Sequence, residues 1–112
     1  VIYFKLFVDI VLYAVKVCLI NKGGLMKVQN MTSARGNTIA NQFIINDKGE
    51  EYFQSYESII AKKSQGKIYL DEYFWDYSVT TGKYRNDFLG EKKIATQRKI
   101  DSGEYILTDL NK

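Results

Sequence analysis

The stretch Lys22-Gly23-Gly24-Leu25-Met26 indicates where the folded domain of this chain begins. Back-translated as AAA-GGA-GGT-TTA-ATG, it matches a bacterial ribosome-binding site just ahead of a start codon. We therefore expect Met26 to be the true first residue and residues 1–25 to be a translated leader that lies outside the fold. The expected protein is a single small domain over residues 26–112, near the size at which one hydrophobic core is only just sufficient.

Two other interpretations of residues 1–25 stay open, a membrane anchor and a genuine amphipathic helix. The segment is largely apolar, but Lys5, Asp9 and Lys16 interrupt it. Its longest uncharged stretch, residues 10–15, is far shorter than the roughly 20 apolar residues that cross a bilayer. A secretory signal would also need a small-residue cleavage site, and none follows. We therefore predict no membrane association.

The residue types present exclude several kinds of site from the expected domain. The single cysteine, Cys18, precedes Met26, and the chain has no histidine. Residues 26–112 therefore cannot form a disulfide, a thiolate nucleophile or a Cys/His zinc site. A catalytic site would have to rely on carboxylates, lysine, tyrosine or serine.

One acidic cluster is a candidate for metal binding. Asp71, Glu72 and Asp76 cluster near the end of a predicted strand and could hold Mg²⁺ through their carboxylates. Glu91 and Lys93 could complete a nuclease-like set, but they fall in a predicted helix. The ordinary interpretation, solvated charges at the ends of elements, is favoured. We predict that the protein is not an enzyme and holds no metal or cofactor.

Turn residues divide the first part of the domain into short strands. Gly36-Asn37 lies in a polar stretch, residues 26–38, that we expect to be a mobile arm. Asn46-Asp47-Lys48-Gly49 and Ser64-Gln65-Gly66 are typical of hairpin turns, because Asn, Asp and Gly tolerate the left-handed region. The predicted strands between these turns are residues 39–45, 51–55, 58–63 and 67–72.

The hydrophobic period changes to a helical one after Ser78. Tyr84 and Phe88 are four residues apart and share a helix face, and Gly90 is placed to end that helix. A second helix is predicted over residues 91–101, closed by Gly103, and a last strand over residues 105–107. This order predicts an α+β fold with a small curled antiparallel sheet of about five strands and two short helices near the C-terminus.

Aromatic residues are the strongest compositional signal, and one run of them must lie partly on the surface. Tyr73, Phe74, Trp75 and Tyr77 are too closely spaced to point inward together, so we expect one or two of them to be exposed. The residues predicted to be buried in the core are Phe43, Ile45, Ile60, Leu70 and Phe88.

Residues 69–90, with Asn41-Gln42-Phe43-Ile44-Ile45 and residues 52–56, carry a family resemblance. The chain resembles a family of small uncharacterised domains found in phages and other mobile elements, over about residues 32–111. The resemblance implies a compact domain of phage type, in the cytoplasm of a bacterial host cell, and implies no activity. The ratio of 13 lysines to 3 arginines favours an AT-rich genome.

Charge placement is more informative than net charge. Residues 26–112 hold 13 basic and 12 acidic residues, so their net charge is only +1. Residues 83–99 nevertheless carry a local charge of +4, the segment 62–67 adds +3, and residues 47–57 carry −3.

A basic helical face beside exposed aromatic residues is typical of nucleic-acid binding. We therefore predict an accessory protein that binds single-stranded or structured nucleic acid. The predicted contact residues are Lys83, Arg85, Lys92, Lys93, Tyr73 and Trp75. The alternative is a module that binds and modulates a host or phage protein, with the same aromatic residues as its energetic centre.

Overall fold

The computed structural model describes residues 26–112, which form an α+β fold of one six-stranded sheet and two helices. The predicted leader, residues 1–25, lies outside the described residues. The elements in chain order are β1 Lys27–Thr32, β2 Thr38–Asp47, β3 Glu50–Ser55, β4 Ser58–Ser64, β5 Lys67–Asp71, α1 Val79–Leu89, α2 Lys93–Ser102 and β6 Tyr105–Thr108.

Strands β2 to β5 form an antiparallel meander, and two of its three tight turns were predicted. Lys48 and Gly49 have φ values of 52° and 84°, and Gln65 and Gly66 have 51° and 79°. Positive φ at both central residues gives a turn whose twist matches that of the flanking strands. The four predicted strands are confirmed, with small differences at their ends.

The polar N-terminal stretch contains a strand, so the prediction of a mobile arm there was wrong. β1 pairs antiparallel with β2, placing Val28 opposite Ile45. The Asn30 side chain also donates a hydrogen bond to the carbonyl oxygen of Ile39, at 2.9 Å. A polar edge strand is stabilised by backbone hydrogen bonds to its neighbour, which local composition does not reveal. The sheet therefore has six strands rather than five.

The sheet is mixed rather than antiparallel, because β5 and β6 run parallel. Ile68 lies opposite Tyr105 and Leu70 opposite Leu107. Both helices lie between these two strands in the chain and return it to the end of the sheet where β5 begins, as a parallel connection requires. The sheet is open, with β1 and β6 at its edges.

The helix boundaries follow the capping residues. Ser78 caps α1, since its hydroxyl accepts a hydrogen bond from the Thr81 N–H at 3.1 Å. Gly90 ends α1 at φ 73°, as predicted. α2 begins at Lys93, which leaves Glu91 outside the helix predicted to contain it. Within residues 26–112, neither helix is long and apolar enough to cross a bilayer.

The core joins α1 to the middle of the sheet. The rings of Phe53 and Phe88 stack with centroids 5.8 Å apart. Of the predicted core residues, only Phe43 is half-buried; it lies opposite Asn30 of the edge strand. The others are confirmed as buried. The buried cluster consists of Phe53, Ile60, Ala61, Leu70, Phe88 and Tyr105.

Candidate functional site

Two surface clefts flank the first turn of α1, and Ser78 lines both. We call the first, of about 400 Å³, the tyrosine cleft and the second, of about 600 Å³, the basic cleft. Between β5 and α1 runs the aromatic segment, residues 72–77. The lining of the tyrosine cleft includes Tyr56, Glu57, Phe74, Tyr77 and Thr81, and that of the basic cleft includes Asp76, Lys83, Arg85, Asn86 and Lys93.

Asp71 fixes the start of the aromatic segment. It is only 1% exposed, and one carboxylate oxygen accepts hydrogen bonds from the N–H groups of Tyr73 and Phe74, at 2.9 and 2.8 Å. The other oxygen accepts from the Leu110 N–H and the Asn111 side-chain amide, at 2.8 and 3.0 Å. Four donors satisfy this buried carboxylate and tie the segment to the C-terminal residues.

The Arg85 side chain supports the aromatic segment through contacts with Trp75 and Asp76. Its guanidinium donates to the carbonyl oxygen of Trp75 at 2.7 Å and to the side-chain oxygen of Asn86 at 3.0 Å. It also lies 5.2 Å from the centre of the Trp75 ring and 3.4 Å from the carboxylate of Asp76. Because Arg85 is only 1% exposed, the predicted role as a solvent-facing phosphate contact is corrected to a buried, structural one.

The aromatic segment divides into an inner and an outer pair of side chains. Tyr73 and Tyr77 are 80% and 69% exposed, while Phe74 and Trp75 pack against the core. The Phe74 ring meets Tyr73 and Tyr77 edge-on, with centroids 5.6 and 5.3 Å apart. The expectation that one or two of these residues are exposed is confirmed, but Trp75, predicted as a contact, is turned toward Arg85.

A third exposed tyrosine, Tyr56, joins this surface from the turn between β3 and β4. It is 55% exposed and has a left-handed φ of 56°, unusual for a bulky residue. Its N–H donates to the Asn41 carbonyl and its carbonyl accepts from the Gln54 side chain, both at 2.7 Å. Sequence reasoning missed Tyr56, although its place in a two-residue gap between strands was a usable signal. Tyr56, Tyr73 and Tyr77 are together called the tyrosine surface.

The predicted basic residues are only partly brought together. Lys83, Arg85 and Lys93 line the basic cleft, whereas Lys92 is the N-cap residue of α2 and is not among the residues lining it. The Lys93 ammonium lies 2.7 Å from the carboxylate of Asp76. Lys83 and Lys92 are exposed and make no ion pair within residues 26–112.

The other predicted basic cluster, on β4, is paired with acidic residues of β3. Lys62 lies 3.8 Å from Glu50 and Lys63 lies 3.6 Å from Glu51. Lys63 also donates to the carbonyl oxygen of Phe88 at 2.9 Å, near the end of α1. Two of the three lysines in the segment 62–67 therefore form ion pairs within the fold.

Glu91 forms a compact hydrogen-bonded group that joins α2 to β6. Its carboxylate accepts from Thr96 and Lys99 at 2.7 Å and from the Tyr105 hydroxyl at 2.9 Å. Burial opposes ionisation of Glu91, but the three hydrogen bonds outweigh it and lower its pKa. Burial, and then the bond to Glu91, raises the pKa of Tyr105. These partners leave Glu91 no free acceptor role in a nuclease-like set with Lys93.

The acidic residues considered for Mg²⁺ do not converge. Asp71 is fully engaged by N–H donors, and Asp76 is paired with Lys93. In the part of the chain that the structure describes, no group of three or more acidic, cysteine or histidine residues is placed to hold a metal ion.

Comparison with known proteins places the chain in a family. Nothing among curated proteins or solved structures matches it. A model of a family of unknown function, DUF8033, matches residues 26–104. The match spans more than half of the chain and contains the tyrosine surface, both helices and five of the six strands. The chain therefore belongs to the DUF8033 family of unknown function.

Proposed function

We propose that this protein is a protein-binding module and that the tyrosine surface is its contact site. The observation that carries the proposal is the exposure of Tyr56, Tyr73 and Tyr77, at 55%, 80% and 69%; Tyr56 and Tyr77 line the tyrosine cleft, and Tyr73 contacts the Phe74 ring that also lines it. Tyrosine gives a large contact area for little loss of side-chain entropy, and it is enriched among the residues that dominate binding energy.

The support of the backbone beneath these side chains strengthens the proposal. Asp71 and Arg85 hold the two ends of the aromatic segment through hydrogen bonds of 2.7 to 2.9 Å. A contact surface that is already ordered loses less entropy on binding than one that must fold.

Nucleic-acid binding is the second candidate, favoured by Lys83 and Lys92. Both ammonium groups are free of ion pairs with residues 26–112, and Lys83 lines an open cleft. Phosphate contacts by such groups release counterions and make binding strongly salt-dependent. With Arg85 buried and Lys93 paired, this candidate depends on fewer free charges than the sequence predicts.

Two double variants of the full chain discriminate between the candidates. We expect Tyr73→Ser with Tyr77→Ser to abolish capture of the partner from cells of the source organism, and Lys83→Glu with Lys92→Glu to leave it unchanged. Oligonucleotide binding at low salt, where charge attraction is strongest, is expected to be absent. Binding of an oligonucleotide that the lysine variant loses and the tyrosine variant keeps would replace the proposal with the nucleic-acid one.

The same proposal covers the biological setting. We propose an accessory protein of phage or mobile-element type that acts on a host or phage protein in the bacterial cytoplasm, without a catalytic step or a cofactor. The excess of 13 lysines over 3 arginines, typical of AT-rich genomes, supports this origin. Sequencing of the neighbouring genes tests it: phage or transfer genes are expected, and a neighbourhood of housekeeping metabolic genes would contradict it.

A further inference from the structure

We propose that the tyrosine cleft takes a basic side chain, lysine or arginine, of the protein partner. This inference rests on the proposed function and specifies the chemistry of the residue that the partner inserts. It follows from the aromatic residues that line the cleft and from its single charged lining residue.

Aromatic residues from two parts of the chain line the cleft. Tyr56 comes from the β3–β4 turn, while Phe74 and Tyr77 come from the aromatic segment. The face of an aromatic ring attracts an ammonium or guanidinium group that lies within about 6 Å of its centre. A long aliphatic side chain that ends in a charge also fits such a wall, because its methylene groups pack on the rings.

Glu57 supplies the complementary charge. It is the one charged residue among those lining the cleft, and it makes no hydrogen bond or ion pair with residues 26–112. The hydroxyls of Ser55 and Thr81, 3.1 Å apart, form a polar part of the lining without adding charge.

The N-terminus of α1, which adjoins the cleft, favours an anion rather than a cation. A helix N-terminus carries about half a positive charge, which favours anions. The Ser78 hydroxyl already accepts a hydrogen bond from the Thr81 N–H in the first turn. Fewer free N–H groups therefore remain there to bind an anion. Glu57 carries a full negative charge that the fold leaves unpaired, so the balance in the cleft favours a cation.

The test uses the full chain labelled with ¹⁵N and four short peptides that differ only in the central residue: lysine, arginine, norleucine or glutamate. We expect the lysine and arginine peptides to shift the amide signals of residues lining the cleft. The neutral norleucine peptide should bind roughly tenfold more weakly, and the glutamate peptide more weakly still. Absence of binding by both basic peptides, or equal binding of norleucine, would overturn the inference.

Three variants locate the effect. Glu57→Gln and Tyr77→Leu should each remove most of the preference for lysine over norleucine. Tyr73→Leu is the matched control, because Tyr73 is exposed but does not line the cleft, and it should leave that preference unchanged. An unchanged preference in Glu57→Gln would contradict the assigned charge.

The protein-binding function and the insertion of a basic side chain into the cleft can be disproved by different results. Loss of the lysine preference alongside continued tyrosine-dependent capture of a partner would remove this inference and leave the protein-binding function standing. A lysine preference in the cleft with capture that ignores Tyr73 and Tyr77 would remove the tyrosine surface as the contact site of the captured partner and leave only the preference of the cleft for a cation.

Discussion

The tyrosine cleft and the basic cleft adjoin the same turn of α1, but they differ in how much of their chemistry the fold already uses. In the basic cleft Lys93 is paired with Asp76 at 2.7 Å and Arg85 donates to the carbonyl oxygen of Trp75, so that Lys83 alone among its three basic residues has no ion pair with the described residues. In the tyrosine cleft the Glu57 carboxylate makes no ion pair with the described residues. Groups that the fold leaves unused are the ones available to a partner.

The difference shows why a dense basic sequence is a weak guide to a binding surface. Arg85 and Lys83 are two residues apart on one helix, yet Arg85 is buried and Lys83 is exposed. What separates them is a contact with Trp75, ten residues away in the chain. Charge counted along the sequence includes charge that the tertiary structure has already neutralised.

The largest expected effect concerns α1, which supports both clefts. Phe88 is 7% exposed and stacks on Phe53, so Phe88→Ala should lower the free energy of unfolding by about 3–5 kcal/mol. Urea denaturation measures it. Ile94→Ala is the control, since Ile94 is 73% exposed, and it should change stability by less than about 0.5 kcal/mol. Equal effects would mean that α1 is not anchored as described.

The next effect separates the two basic residues of α1. Arg85→Met leaves the buried carbonyl of Trp75 without its donor, which should cost about 1–3 kcal/mol. Lys83→Met removes an exposed charge on the same helix and should change stability by less than about 0.5 kcal/mol. If thermal melts showed both variants to be neutral, Arg85 would not brace the aromatic segment.

A smaller effect, of about 1 kcal/mol, is expected from acid titration of Glu91. The pKa of Glu91 is lowered from 4.5 in the folded state, so its contribution is present above pH 4.5 and is lost as the pH falls through the folded pKa. Stability should therefore fall more steeply on acidification in the natural protein than in Glu91→Gln. Parallel curves would show that the hydrogen bonds from Thr96, Lys99 and Tyr105 do not favour the ionised carboxylate.

The sequence predicted those features of the fold that depend on residues close together in the chain. The hairpin turns at Lys48-Gly49 and Gln65-Gly66, the cap at Ser78 and the stop at Gly90 are all set by residues within a few positions. β1 and the parallel pairing of β6 were not predicted, because each is fixed by a partner distant in the chain.

At the candidate site, too, the features that depend on distant residues could not be predicted from the sequence. The aromatic run required one or two exposed members, but which ones depends on distant side chains. Asp71 sets the backbone of Tyr73 and Phe74, and Arg85 draws Trp75 inward. Tyr56 reaches the same cleft from the β3–β4 turn, whose two-residue length could have been inferred from the gap between the predicted strands.

The central claim is that the tyrosine surface serves binding rather than folding. Tyr73 and Tyr77 are 80% and 69% exposed and each makes one edge-on ring contact with Phe74, so Tyr73→Ser and Tyr77→Ser should each lower the free energy of unfolding by no more than about 1.5 kcal/mol. The most direct measurement is the affinity of the captured partner for the chain that carries both substitutions. The account predicts at least roughly tenfold weaker binding by a chain that is still folded. Unchanged affinity, or a double variant that unfolds, would contradict it.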